Sequence, residues 1–180
     1  MPRTALIVVD MLNSYAHADA EQLRRSVERV LPAMAELIHR AAREHVLTIY
    51  VNDNFGAWTS NRDTLVEQAL AGEFTHLVEP IVPAEDTLFV VKARHSIFYQ
   101  TPLEFLLREE DVGRIAMVGQ VTEQCILYSA LDAYIRRFDV VVARDAVAHI
   151  HEDLAQAALK MMEVNMAAEL SGASELDLGG

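Results

Sequence analysis

The chain has 180 residues, room for one domain with a real hydrophobic core. Apolar residues make up 52%, which excludes a disordered polyelectrolyte. Fifteen Lys and Arg against 27 Asp and Glu leave a net charge of −12, which argues against nucleic acid or an anionic membrane surface as a partner.

Ala5–Val9 is apolar throughout and reads as a first strand ending at Asp10. Glu21–Glu44 carries apolar residues at spacings of three and four, the mark of a helix, with Pro32 placed to kink or split it. Val46–Asn52 reads as a second strand. Asp53–Pro83 is irregular apart from a short helix predicted at Arg62–Leu70, and such an excursion often carries a substrate loop. Thr87–Val91 is a third strand, ending at Lys92. Thr101, Pro102 and Leu103 then read as an N-cap, a proline at the first helical position and the start of a helix to about Glu110. Strands at Arg114–Val118 and Asp139–Ala143, and a weaker one near Met166–Leu170, alternate with helices at Thr122–Arg137 and His151–Met162. The polar, acidic tail Ser171–Gly180 reads as mobile. Strands that are apolar on both faces and alternate with helices predict a parallel sheet in an α/β three-layer sandwich, one domain over residues 1–180.

The single cysteine, Cys125, excludes an intrachain disulfide and a multi-cysteine zinc site, and it suits a reducing, cytoplasmic compartment. No run of 18 apolar residues occurs, and the apolar stretch after Thr4 is too short for a signal-peptide core.

In open α/β sheets, sites form beyond the carboxyl ends of the strands. Asp10, Lys92 and the turn leading to Cys125 all fall there. Each has a plainer reading: a turn residue for Asp10, a strand-end lysine reaching solvent for Lys92, a small buried hydrophobe for Cys125. Two facts favour chemistry. Lysine is rare, with Lys92 and Lys160 the only two. Cys125 also falls in the first turn of a predicted helix, where partial positive charge lowers a thiol pKa and free N–H groups can hold an oxyanion. A carboxylate at Asp10 can take the thiol proton and pass it to a leaving amine. The seven histidines form no metal-binding pattern: His149 and His151 fall at a loop-to-helix boundary, and His39 and His45 flank the end of the long helix. His95 is conceivable as a partner of Cys125. Arg94 can bind a substrate carboxylate, and Trp58, Phe55 and Tyr99 can wall a pocket.

Three blocks resemble the isochorismatase-like cysteine hydrolase superfamily, which includes nicotinamidases and N-carbamoylsarcosine amidases. They are Ala5 to Asn13 with its terminal Asp10, Lys92 to Leu103, and Gly119 to Cys125 followed by Ser129 to Ala133 and Asp145-Ala146. The resemblance spans roughly residues 4 to 170. It implies a six-stranded parallel sheet, a cytoplasmic homodimer or homotetramer, and a catalytic triad of Asp10, Lys92 and Cys125. It further implies a cis peptide at Gln120–Val121, with the N–H groups of Val121 and Cys125 as an oxyanion hole. Substrate contacts are expected from Asn52, Asp53, Phe55, Trp58, Arg94 and Tyr99. Nicotinamidases carry a metal-binding Asp-x-His after the second strand; Asp53 matches the Asp, but Phe55 stands where the His would be, so no metal and no cofactor are expected. The expected activity is cysteine-dependent hydrolysis of a C–N bond in a small amide or ureido compound through a thioester, with Asp10 also activating the water. The rivals are isochorismatase-type ether hydrolysis and a non-catalytic, thiol-sensing member of the fold.

Overall fold

A computed structural model describes residues 3–179; Met1, Pro2 and Gly180, at the ends of the expected 1–180 domain, lie outside the described residues. Among the described residues six strands are formed: β1 (Arg3–Val9), β2 (Leu47–Asp53), β3 (Leu88–Lys92), β4 (Val112–Gln120), β5 (Asp139–Ala148) and β6 (Glu169–Ser171). They make one all-parallel sheet in the order β3-β2-β1-β4-β5-β6. The helices are α1 (Ala20–Arg43), α2 (Arg62–Leu70), α3 (Leu103–Glu109), α4 (Leu127–Ile135) and α5 (Glu152–Asn165).

The apolar runs become central strands because both of their faces are covered. Along β1, Leu6 and Val8 point to one face and pack with Leu23, Val27, Met34 and Leu37 of α1. Ala5, Ile7 and Val9 point to the other and pack with Leu103 and Leu107 of α3, Ala130 and Ala133 of α4, and Met162 of α5. Each such Leu, Ile or Val contributes roughly 1.5–3 kcal/mol by leaving water. The buried stripe of α1 also carries Pro32 through an unbroken helix: burial along 24 residues offsets the ~3 kcal/mol that an interior proline costs.

Four details differ from the expectations. Pro102 occupies the N-cap of α3 rather than its first turn, and the Thr101 hydroxyl accepts from the Leu103 N–H at 3.4 Å. The helix expected at Thr122–Arg137 opens with a wide π-helical turn, Thr122–Ile126, before α4 begins. β5 runs on to Ala148, because its register against β4 jumps from Met117↔Val142 to Gly119↔Val147. Asp145 therefore sits in a bulge inside the strand, where its Oδ1 accepts the Ala173 N–H at 2.7 Å.

That contact begins the fourth difference. The tail expected to be mobile is docked, with Ala173, Leu176 and Leu178 buried and the Arg40 guanidinium donating to the carbonyls of Ala173, Ser174 and Leu176. Composition reads the segment as acidic, but its spaced apolar residues decide its placement. Among the described residues, no helix is long and apolar enough to cross a membrane.

Candidate active site

The strand order reverses beside β1: the chain moves outward to β2 and β3, then returns to β4 on the other side. The carboxyl edge at such a reversal is the usual cleft of an open α/β sheet. Asp10 follows β1 in a left-handed conformation, φ 56°, which an aspartate enters at less cost than most residues. Its N–H is anchored to the Val51 carbonyl at 2.9 Å. Its Oδ1 accepts the Asp53 N–H at 2.7 Å, and its Oδ2 lies 2.8 Å from Lys92 Nζ.

Lys92 ends β3, on the far side of β2 and so ~10 Å from the β1 axis. A long, flexible stem is needed to span that gap. The side chain is fully buried, and its ammonium reaches Asp10, Asp53 Oδ2 at 3.3 Å and Cys125 Sγ at 3.7 Å. Three residues far apart in sequence thus meet at one buried cation.

Cys125 is delivered by the π-helical turn. Gly119 adopts φ 117°, and a Cβ there would lie 2.1 Å from the Val9 carbonyl oxygen, so only glycine lets β4 pass this close to β1. The Gln120–Val121 peptide is cis. The Ile126 N–H donates to the Val121 carbonyl at 3.1 Å, closing the wide turn.

Several side chains to which the sequence reading gave no role hold this turn. Gln120 Nε2 donates to the Asp10 carbonyl at 2.7 Å. The Thr122 hydroxyl donates to Ala148, and Glu123 Oε1 accepts the N–H groups of Ile150 and His151 at 3.0 and 2.8 Å. Their signal was present, as polar side chains in a turn flanked by apolar strands, but a partner near residue 150 was not visible in sequence.

Burial pushes the Cys125 thiol well above its ordinary value, and the Asp10 carboxylate adds to the rise, against the Lys92 charge and the Val121 N–H. The expected lowering at a helix start is therefore overturned: desolvation and a facing carboxylate outweigh the N–H groups. Burial likewise holds the Asp10 carboxyl above the usual carboxylate range, against the pull of Lys92. Burial disfavours the Lys92 ammonium, but Asp10, Cys125 and Asp53 together outweigh it and raise its pKa. Burial and mutual charge thus set the titration of all three groups together.

Of the trio, Lys92 lines a cleft of about 750 Å³, together with Asp53, Phe55, Trp58, Arg94 and Tyr99, five of the six expected substrate contacts, and His95. The sixth, Asn52, is not in the cleft. It is buried, with Oδ1 accepting the Leu12 N–H and Nδ2 donating to the carbonyls of Leu12 and Asp53. It ties the segment after β1 to the end of β2. His95, weighed lightly from sequence, places Nδ1 3.6 Å from the Cys125 sulfur.

The residues present do not fit a metal. Asp53 spends Oδ2 on Lys92 and Oδ1 on the Phe55 N–H, and Phe55 offers no donor. Among the described residues, no group of three His, Cys, Asp or Glu is arranged to hold an ion.

Comparison with known proteins agrees with this architecture. The chain is 30% identical over 167 residues to the uncharacterized isochorismatase family protein YaaI of Bacillus subtilis, covering 93% of this chain and 92% of the relative. It is 24% identical over 159 residues to a maleamate amidohydrolase of Pseudomonas putida, covering 84% and 75%. Among solved structures, nicotinamidase PncA from Bacillus subtilis superposes with a TM-score of 0.72 at 22% identity, over 94% of this chain and 99% of that one, a likeness of fold. The family model of the isochorismatase domain matches residues 4–175. This chain belongs to the isochorismatase family of hydrolases.

Proposed function

We propose that the protein is a cysteine hydrolase that cleaves a C–N bond in a small amide or ureido compound, through a thioester on Cys125. The observation that carries this reading is the buried contact of Lys92 Nζ with both Asp10, at 2.8 Å, and Cys125, at 3.7 Å, beside a cleft that Lys92 lines.

The raised pKa values suit the chemistry. A thiol that stays protonated needs a base at hand, and a carboxylate of raised pKa is a better one than an ordinary aspartate. Asp10 takes the thiol proton as the Cys125 sulfur bonds to the substrate carbonyl carbon. The N–H groups of Val121 and Cys125 hold the oxyanion, whose charge Lys92 also stabilises. Asp10 returns the proton to the nitrogen as the C–N bond breaks and the amine leaves. Water then cleaves the thioester and the acid departs. Asp53, Phe55, Trp58, Arg94 and Tyr99 contact the substrate in the cleft.

The relative named as a maleamate amidohydrolase supports amide chemistry. The elevated thiol pKa runs against the thiol-sensing alternative, because oxidant-reactive cysteines are those with thiolate character. The reading includes a cytoplasmic homo-oligomer. Exposed Tyr128, Leu131 and Ile135 along α4 support self-association, to be read by sedimentation.

Ammonia release across primary amides, ureido acids and N-carbamoyl amino acids tests the activity. Cys125→Ala should lose at least ~10³-fold in kcat/KM on any substrate found. Turnover at the native rate by that variant refutes the nucleophile, as the ether-hydrolase alternative requires.

A further inference from the structure

We infer that His95 is a catalytic residue of the second half-reaction, the base that activates water against the Cys125 thioester. The inference rests on the cysteine reading above and departs from the expectation that Asp10 serves both halves.

Asp10, Lys92 and Cys125 are nearly closed to solvent, at 7%, 2% and 8% exposure. Both oxygens of Asp10 are already engaged, Oδ2 with Lys92 and Oδ1 with the Asp53 N–H. The attacking water arrives from the cleft, which Lys92 and His95 both line. His95 stands on that side: its side chain lines the cleft, it is solvent-exposed, and Nδ1 is 3.6 Å from the sulfur.

The ring is also held in place. Tyr128 of α4 meets it edge-on at 5.5 Å between centroids. The next two residues are clamped to the same helix, with the Ser96 hydroxyl donating to Asp132 and the Ile97 N–H donating to Ser129 Oγ at 3.1 Å. The loop after β3 is thereby fixed to the helix that follows Cys125, and an imidazole is placed beside the sulfur.

With Nδ1 unprotonated, the step balances. Nδ1 takes a proton from water as the water oxygen bonds to the thioester carbon. The C–S bond breaks, and the proton passes from Nδ1 to the sulfur, restoring the thiol and releasing the acid. General-base assistance of this kind contributes typically ~10²–10⁴-fold.

p-Nitrophenyl acetate separates the two halves, since nitrophenolate release reports acylation and the later steady phase reports deacylation. In His95→Gln, the rapid phase should survive, the steady phase should fall by roughly 10²-fold, and acetylated Cys125 should accumulate in acid-quenched samples. In His95→Ala, added imidazole should restore the steady phase, which a merely structural role would not allow. An unchanged steady phase in His95→Gln, with the native protein faster than Cys125→Ala, overturns the His95 role alone. Native turnover no faster than Cys125→Ala overturns the nucleophile, and the His95 role with it.

Discussion

The buried trio and the rim of the cleft are built on different principles. The buried trio, Asp10, Lys92 and Cys125, sits at the ends of β1 and β3 and on the π-helical turn after β4, is almost closed to water and is cross-linked by polar contacts. The rim residues Phe55, Trp58 and Tyr99 stand on loops and are 54%, 84% and 55% exposed. In the proposed function, reactivity is thus held by the sheet edge, whereas the groups proposed to meet the variable part of a substrate cost the fold little to change. That contrast explains how one fold can carry many specificities.

The sharpest way to break the contrast is Lys92→Met. Removing one partner of a buried ion pair costs about 3–5 kcal/mol, and here Asp10 is left without its cation. Unfolding in urea at pH 7 should show a loss of that size. A carboxyl whose folded pKa is raised stabilises below its unfolded value, about 3.9, and loses that contribution as pH rises through the folded value. Without Lys92 the pKa of Asp10 climbs further, so the deficit should shrink toward pH 4. An equal deficit at both pH values would mean that Lys92 matters for packing and not for charge.

Asp10→Asn probes the same trio more gently. The Asp10 carboxylate holds the thiol pKa up, so its removal should raise the thiolate fraction and speed iodoacetamide alkylation at pH 8 severalfold, even as turnover falls. Slower alkylation would reverse the electrostatic account. In the native protein, the acid limb of kcat/KM should lie above the usual carboxylate range, because burial raises Asp10. The smallest effect belongs to the rim: Trp58→Ala should change stability by no more than ~0.5 kcal/mol while raising KM. A large stability loss would show that the rim is part of the core.

Much of this was legible in the sequence. Ala5–Val9, buried on both faces, announced a central strand, and the polar residues ending each run announced the carboxyl edge of the sheet. The α2 helix, Arg62–Leu70, fell where its pattern placed it. What escaped depends on contacts between distant segments. Asn52 looked like a cleft residue because it ends a strand beside Asp53, yet alternation along β2 turns it toward Leu12. The tail looked loose because its charge hides three buried apolar side chains. The thiol pKa was misjudged because helix-start electrostatics are local and readable, whereas burial and a carboxylate 115 positions earlier in the chain are not. His95 drew little weight because its distance from Cys125 depends on the Ser96–Asp132 and Ile97–Ser129 ties.

The most direct test of the central claim is mass analysis of the Cys125-bearing peptide from acid-quenched turnover of an amide or ureido substrate. A substrate-derived acyl group on Cys125, appearing and decaying with kinetics fast enough for turnover, is the predicted result. Steady ammonia release with Cys125 unmodified throughout, and unimpaired in Cys125→Ala, would contradict it.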